Sequence, residues 1–183
     1  NFLAIDFDKK TYEKDVLAFW NICDELNIPI YVEKSRSGNG AHVWIFFEES
    51  MPANVARKMG NILLTKTMEK ESLDLDSYDR LFPNQDTMPK GGFGNLIALP
   101  FQGESSKSGN TVFVNKYFEP EKNQFEILKN IKRIKSDDVY NFVNKYREDD
   151  YKEPDVEQLE EDELPKKENL REVKFVNNVE CIF

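Results

Sequence analysis

The chain has 183 residues, 39% apolar and 13% aromatic, which is enough to bury a core without staples and too apolar for global disorder. Its two cysteines, Cys23 and Cys181, exclude a disulfide scaffold or a cysteine-rich zinc site and fit a reducing cytoplasm. No apolar run is long enough to predict a membrane span, and the net charge of −9 is uneven: residues 148–171 hold eleven acids against four bases, a net −7, leaving −2 for the rest.

Phe2 to Asp8 alternates as a strand, with Leu3, Ile5 and Phe7 on one face and Ala4, Asp6 and Asp8 on the other. The chain opens abruptly inside this apolar run, as expected of a piece of a longer protein. Thr11 to Leu26 changes to helical period, with Val16, Trp20, Cys23 and Leu26 as the stripe, Leu17 beside it, Thr11 as cap and Asn27 and Pro29 as the stop. Ile30–Lys34 and Val43–Phe47 are β-prone and flank the turn formers of residues 35–42, a hairpin with a specialised loop. Ser50 and Pro52 then suit a helix start, with Val55, Ala56, Met59, Ile62, Leu63 and Met68 as its buried face.

Residues 72–94 read as irregular because Pro83, Pro89, Gly91, Gly92 and Gly94 exclude a long helix. Asn95–Phe101 reads as a buried strand, Gln102–Asn110 as a polar loop and Thr111–Asn115 as a short strand. Gln124–Ile134 and Ser136–Tyr146 are amphipathic helices, the second capped by Ser136. Hairpins interleaved with helices give a mixed α/β (α+β) class. Residues 1–147 are expected to form the folded domain, 148–172 an acidic linker and 173–183 the start of a following segment.

Three groups of residues carry candidate chemistry. Asp6 and Asp8, two apart on a strand, share a side and can chelate one or two divalent cations through hard oxygens, or simply face water at a strand edge. Gly38 and Gly40 allow backbone amides to turn toward an anion, Ser37 adds a hydroxyl, and Lys34 and Arg36 add charge. His42, the single histidine, follows that loop and is able to donate to a phosphate oxygen; an ordinary hairpin turn is the competing reading. Asp74, Asp76, Asp79 and Asp86, with Arg80 and Lys90, supply a third carboxylate, and Asp79 lies in the most apolar surroundings. A haloacid-dehalogenase-type phosphatase fits poorly: Lys10 stands where its Thr or Val belongs, and Asp137 and Asp138 open a helix rather than end a strand. A usual zinc hydrolase lacks ligands, and a serine hydrolase lacks its nucleophile elbow.

Taken in order, Asp6-Phe7-Asp8, then Ser37-Gly38-Asn39-Gly40-Ala41-His42 leading into an apolar strand, then a further Asp resembles the three-motif pattern of the archaeo-eukaryotic primase superfamily. The strings SRSGNGAHVWIFF, YDRLFPNQD and GNLIALPFQ are similar to its primase-polymerase branch in TOTE conflict systems, from about Phe2 to Tyr146. The resemblance implies a catalytic core with an RRM-like sheet packed against a second αβ unit, and template-directed nucleotidyl transfer with Mg²⁺ or Mn²⁺. It implies that Asp6 and Asp8 ligate metal with Asp79 as third ligand, Asp76 and Asp86 staying open for that place. Ser37 and His42 would bind the incoming nucleoside triphosphate with Arg36, Gly38, Gly40 and Arg80. Partners would be a DNA or RNA template-primer and fused helicase or nuclease domains. The alternative is a non-catalytic module that binds single strands by stacking bases on Tyr31, Trp44, Phe46 and Phe47.

Overall fold

A computed structural model describes residues 1–71, 75–86 and 96–150. The expected segments beyond residue 150, Cys181, Asp74, Lys90 and the glycine stretch around 91–94 lie outside the described residues. Six elements form the core unit: β1 (Phe2–Asp8), α1 (Tyr12–Glu25), β2 (Tyr31–Lys34), β3 (Gly40–Phe46), α2 (Ala53–Glu71) and β4 (Tyr78–Phe82). The strands make one sheet in the order β2-β3-β1-β4 with every pair antiparallel, the split βαβ arrangement. The short α3 (Gly103–Lys107) and α4 (Gln124–Lys129) follow, then α5 (Ser136–Asp150), three residues past the domain end expected from the sequence. Among the described residues no helix is long and apolar enough to cross a membrane.

The two faces of the sheet have different fates. Leu3, Ile5 and Phe7 of β1 and Val43 and Ile45 of β3 are fully buried in the main core, with Val16 and Phe19 of α1 and Met59 and Leu63 of α2. Each such side chain withdrawn from water is worth roughly 1.5–3 kcal/mol. On the other face Ala4, Trp44, Phe82 and Phe113 form a second cluster, covered by Ile97, Phe101 and Ile127. Residues 96–127 thus cap one end of the second face, while among the described residues its other end keeps Asp6 half-buried and Asp8 exposed.

Several expectations need correction. The buried stripe of α1 runs through Tyr12, Val16, Phe19, Ile22 and Cys23; Trp20 and Leu26 pack only at the core's margin. Thr11 makes no capping bond, because its hydroxyl donates to Asp15 Oδ2 at 3.4 Å. Met68 of α2 is exposed, while Leu64 and Thr67 are buried. The stretch read as irregular contains β4, the sheet's edge strand. The described part of the expected strand at 95–101 is in no sheet, with Leu96 82% and Leu99 52% exposed. Its apolar character has another cause: Ile97 and Phe101 pack onto the aromatic cluster of the second face. Residues 111–115 reach the sheet through a single bridge, Phe113 to Glu33, with the Val114 amide donating to Val32 O at 2.9 Å; Val114 itself bridges to Pro120. A helix as far as Ile134 is also overturned: α4 stops at Lys129, and Ile134 bridges to Phe47. Ser136 does not cap α5; Glu49 does so, accepting from its amide at 2.9 Å and its hydroxyl at 2.8 Å.

Candidate active site

Strand register builds the site. Glu33 lies opposite His42, His42 opposite Asp6 and Asp6 opposite Arg80, so one row of directly paired residues crosses all four strands. Directly opposed residues share a face. Asp8, two residues beyond Asp6, joins that face at the pair with Gly40. Asp79 gains access through an irregularity: the β1–β4 register shifts between Asp6 and Phe7, which pair with Arg80 and Tyr78. Asp79 is the extra residue of this bulge, the device by which a strand re-aims a side chain. Tyr78 packs against Phe7 in the core while Asp79 turns to the open face.

The result is that carboxylate oxygens of Asp6, Asp8 and Asp79 lie within 4.8 Å of one another. Asp6 is half-buried, and Asp8 and Asp79 are exposed. Asp86 is engaged elsewhere, in an ion pair with Arg57 at 2.5 Å, and Asp76 is exposed outside the cluster. Arg80 donates from Nε to Asp79 Oδ2 at 2.6 Å. His42 is buried, with Nε2 3.7 Å from Asp6 Oδ1. Burial most strongly perturbs the Asp6 carboxyl and raises its pKa; His42 and Arg80 pull it down, Asp8 and Asp79 push it up, and the net is a rise. Three crowded carboxylates with a net rise at the innermost are short of positive charge, and their hard oxygens suit Mg²⁺ or Mn²⁺. For His42, burial disfavours the charged ring, but the Glu33 hydrogen bond and charge, with Asp6 and Asp8, outweigh it and raise the pKa.

The glycine loop is more closed than the sequence implies. Gly38 has φ of 79°, which favours glycine, and its amide donates to Ser35 O at 3.0 Å. The Asn39 amide donates to Ser37 Oγ at 3.2 Å. Two amides expected to face an anion are therefore occupied within the turn. Arg36 and Ser37 are exposed, and Gly40 packs against Phe7 O and Asp8. The aromatics proposed as a stacking platform are also changed in role: Trp44 and Phe47 are 2% and 1% exposed, Phe47 in the main core, and Tyr31 and Phe46 are half-buried in the Trp44 cluster.

Two contributors escape sequence reading. Glu33, fully buried, accepts from His42 and from Trp44; a lone acid inside the β-prone run IYVEK was the available signal. Asp15, 4% exposed on α1, accepts from the Ser77 amide at 3.0 Å and hydroxyl at 2.5 Å. Ser77 O in turn accepts from the Asp8 amide at 2.7 Å, so Asp15 anchors the entry to β4 beside both Asp8 and Asp79. Asp15→Ala is expected to lower stability by about 1.5–3 kcal/mol, the worth of hydrogen bonds to a charged group, as read from urea unfolding with an unchanged slope.

A family model described as the TOTE conflict system, Archaeo-Eukaryotic Primase domain matches residues 1–142. No curated protein matches the chain. With so much of its length matched, the chain belongs to the archaeo-eukaryotic primase domain family of TOTE conflict systems.

Proposed function

We propose that this domain is a metal-dependent, template-directed nucleotidyltransferase, a primase, a polymerase or both. In this reading it acts in the cytoplasm on a DNA or RNA template-primer and works with helicase or nuclease domains. One observation carries the reading: three carboxylates from β1 and β4, two of them exposed among the described residues, converge within 4.8 Å on one sheet face beside the only histidine. Asp6, Asp8 and Asp79 would hold Mg²⁺ or Mn²⁺. When bound, such ions supply positive charge that eases deprotonation of an attacking hydroxyl and offsets charge on departing pyrophosphate.

The chain's own residues do the positioning. His42 turns Nε2 toward the acidic cluster, where a triphosphate oxygen would accept from it. Ser37 and Arg36 stand exposed on the loop before it, Gly38 shapes the turn, and Gly40 admits Asp8 at close range. Arg80 neutralises part of the acidic cluster and points a cation toward the same space. The sheet order supports an RRM-like reading of the core, but a strand-binding module needs bare aromatic faces. Here Ile97, Phe101 and Ile127 pack against the Trp44 cluster and Phe47 lies in the main core, which favours the enzyme.

Template-dependent incorporation of labelled ribo- and deoxynucleotides, with and without a primer, tests the proposal. Incorporation that ignores the template, or persists in excess chelator, would sink it. His42→Ala is expected to raise the KM for nucleotide by about tenfold or more with a smaller change in kcat, the pattern of a lost charged hydrogen bond in the ground state. Unchanged steady-state constants would make His42 a structural residue.

A further inference from the structure

Glu33 is fully buried on β2, where an unpaired carboxylate would cost several kcal/mol. Its partners are specific. Oε2 accepts from His42 Nδ1 at 3.2 Å and from Trp44 Nε1 at 2.9 Å, while Oε1 has no partner among the described residues. An indole N–H only donates, so Trp44 fixes where Oε2 sits. The same Oε2 that accepts from Trp44 faces His42 Nδ1, an arrangement that suits an N–H at Nδ1. That choice leaves Nε2 as the ring nitrogen aimed at the acidic cluster. The His42 and Trp44 rings meet edge-on at 6.1 Å between centroids, which limits rotation of the imidazole.

We propose that Glu33 is a positioning residue: together with Trp44 it locks the His42 ring so that Nε2 faces the nucleotide site. The inference rests on the triphosphate role proposed for His42, and concerns how that side chain is held. Carboxylate or carbonyl oxygens behind an imidazole commonly fix which nitrogen works, and this arrangement supplies one from a neighbouring strand. An apolar residue would fill the same place on β2 at less desolvation cost, so the acid has a reason beyond packing.

The single histidine makes the test direct, because its imidazole nitrogen resonances belong to one residue. In the full chain, nitrogen–proton correlation spectra are expected to show a protonated Nδ1 with a slowly exchanging proton. A bare Nδ1 in the unsubstituted protein would overturn the proposal, and this measurement needs no variant to fold. Glu33→Gln keeps a single oxygen that is able to accept both bonds, so it is expected to retain the Nδ1 signal and bind a non-hydrolysable nucleoside triphosphate with Mg²⁺ within about threefold of the parent. Glu33→Leu should lose the signal and weaken that binding by about tenfold or more, matching His42→Ala. The double variant Glu33→Leu with His42→Ala should bind no worse than His42→Ala alone, since one residue acts through the other. Multiplying losses, or unchanged affinity in Glu33→Leu while His42→Ala is impaired, would reject the positioning role. If His42→Ala itself binds nucleotide as the parent does, the triphosphate reading fails, and the Nδ1 resonance still decides whether Glu33 holds the ring.

Discussion

Asp6→Ala or Asp8→Ala should reduce nucleotide incorporation by about a thousandfold or more, while leaving the melting temperature unchanged or slightly raised. The two halves of this expectation have one source. Asp6, Asp8 and Asp79 hold carboxylate oxygens within 4.8 Å of one another, and the Asp6 pKa is raised by burial and by its two acidic neighbours. Without a cation the cluster repels itself, so removing one member relieves strain in the folded protein. With nucleotide and Mg²⁺ present the same crowding becomes the reason for binding. A scaffold role would give the reverse pattern, with lost stability and retained activity. Incorporation assays paired with thermal melts separate the two, and full activity in a folded Asp6→Ala, Asp8→Ala double variant would remove the catalytic claim.

Gly40→Ala is the second substitution with a large expected effect, and it acts through backbone. An added Cβ would stand 2.4 Å from Phe7 O and 2.7 Å from Asp8 Oδ1. The Asp8 carboxylate can swing aside, but the first neighbour is main chain at the end of the β1–β3 ladder, where Phe7 pairs with Ala41 and Asp8 with Gly40. The strands would have to part at the pair that carries Asp8. A loss of about 1–3 kcal/mol in stability is expected from this overpacking, measured by denaturant unfolding. Activity should fall further than stability alone accounts for, because Asp8 moves with the strand. An alanine variant that matches the parent in both would show that the close approach of β1 and β3 is not needed.

Much of the frame was legible from local pattern. The alternation of Phe2–Asp8 separated a core face from a polar face, and the structure buries Leu3, Ile5 and Phe7 while leaving Asp6 and Asp8 on the other side. The hairpin was legible because β-prone runs flank a cluster of turn formers. The helix after Pro52 was legible from its period. Less visible was the rotation of α1, where Phe19 and Ile22 outcompete Trp20 and Leu26 for the core. Both stripes have helical spacing, and only the surface they meet selects one. The edge strand β4 was hidden because its sequence, YDRLF, places two charged residues in succession. That succession is the bulge, which breaks the alternation by which strands are recognised. The apolar run before Phe101 misled for the opposite reason: it looked like a strand because it covers aromatics, not because it joins a ladder.

By itself the sequence determined the order of the first five elements, from β1 to α2, the buried face of β1 and the motifs that mark the family, because each depends on neighbours along the chain. Only the tertiary structure decided which acid joins Asp6 and Asp8, and that Glu33 stands behind His42. Those facts depend on register between strands and on a single inserted residue. Residues 9 positions apart at Glu33 and His42, or 73 apart at Asp6 and Asp79, meet only once pairing is fixed. A one-residue slip would send every one of these side chains to the opposite face of the sheet.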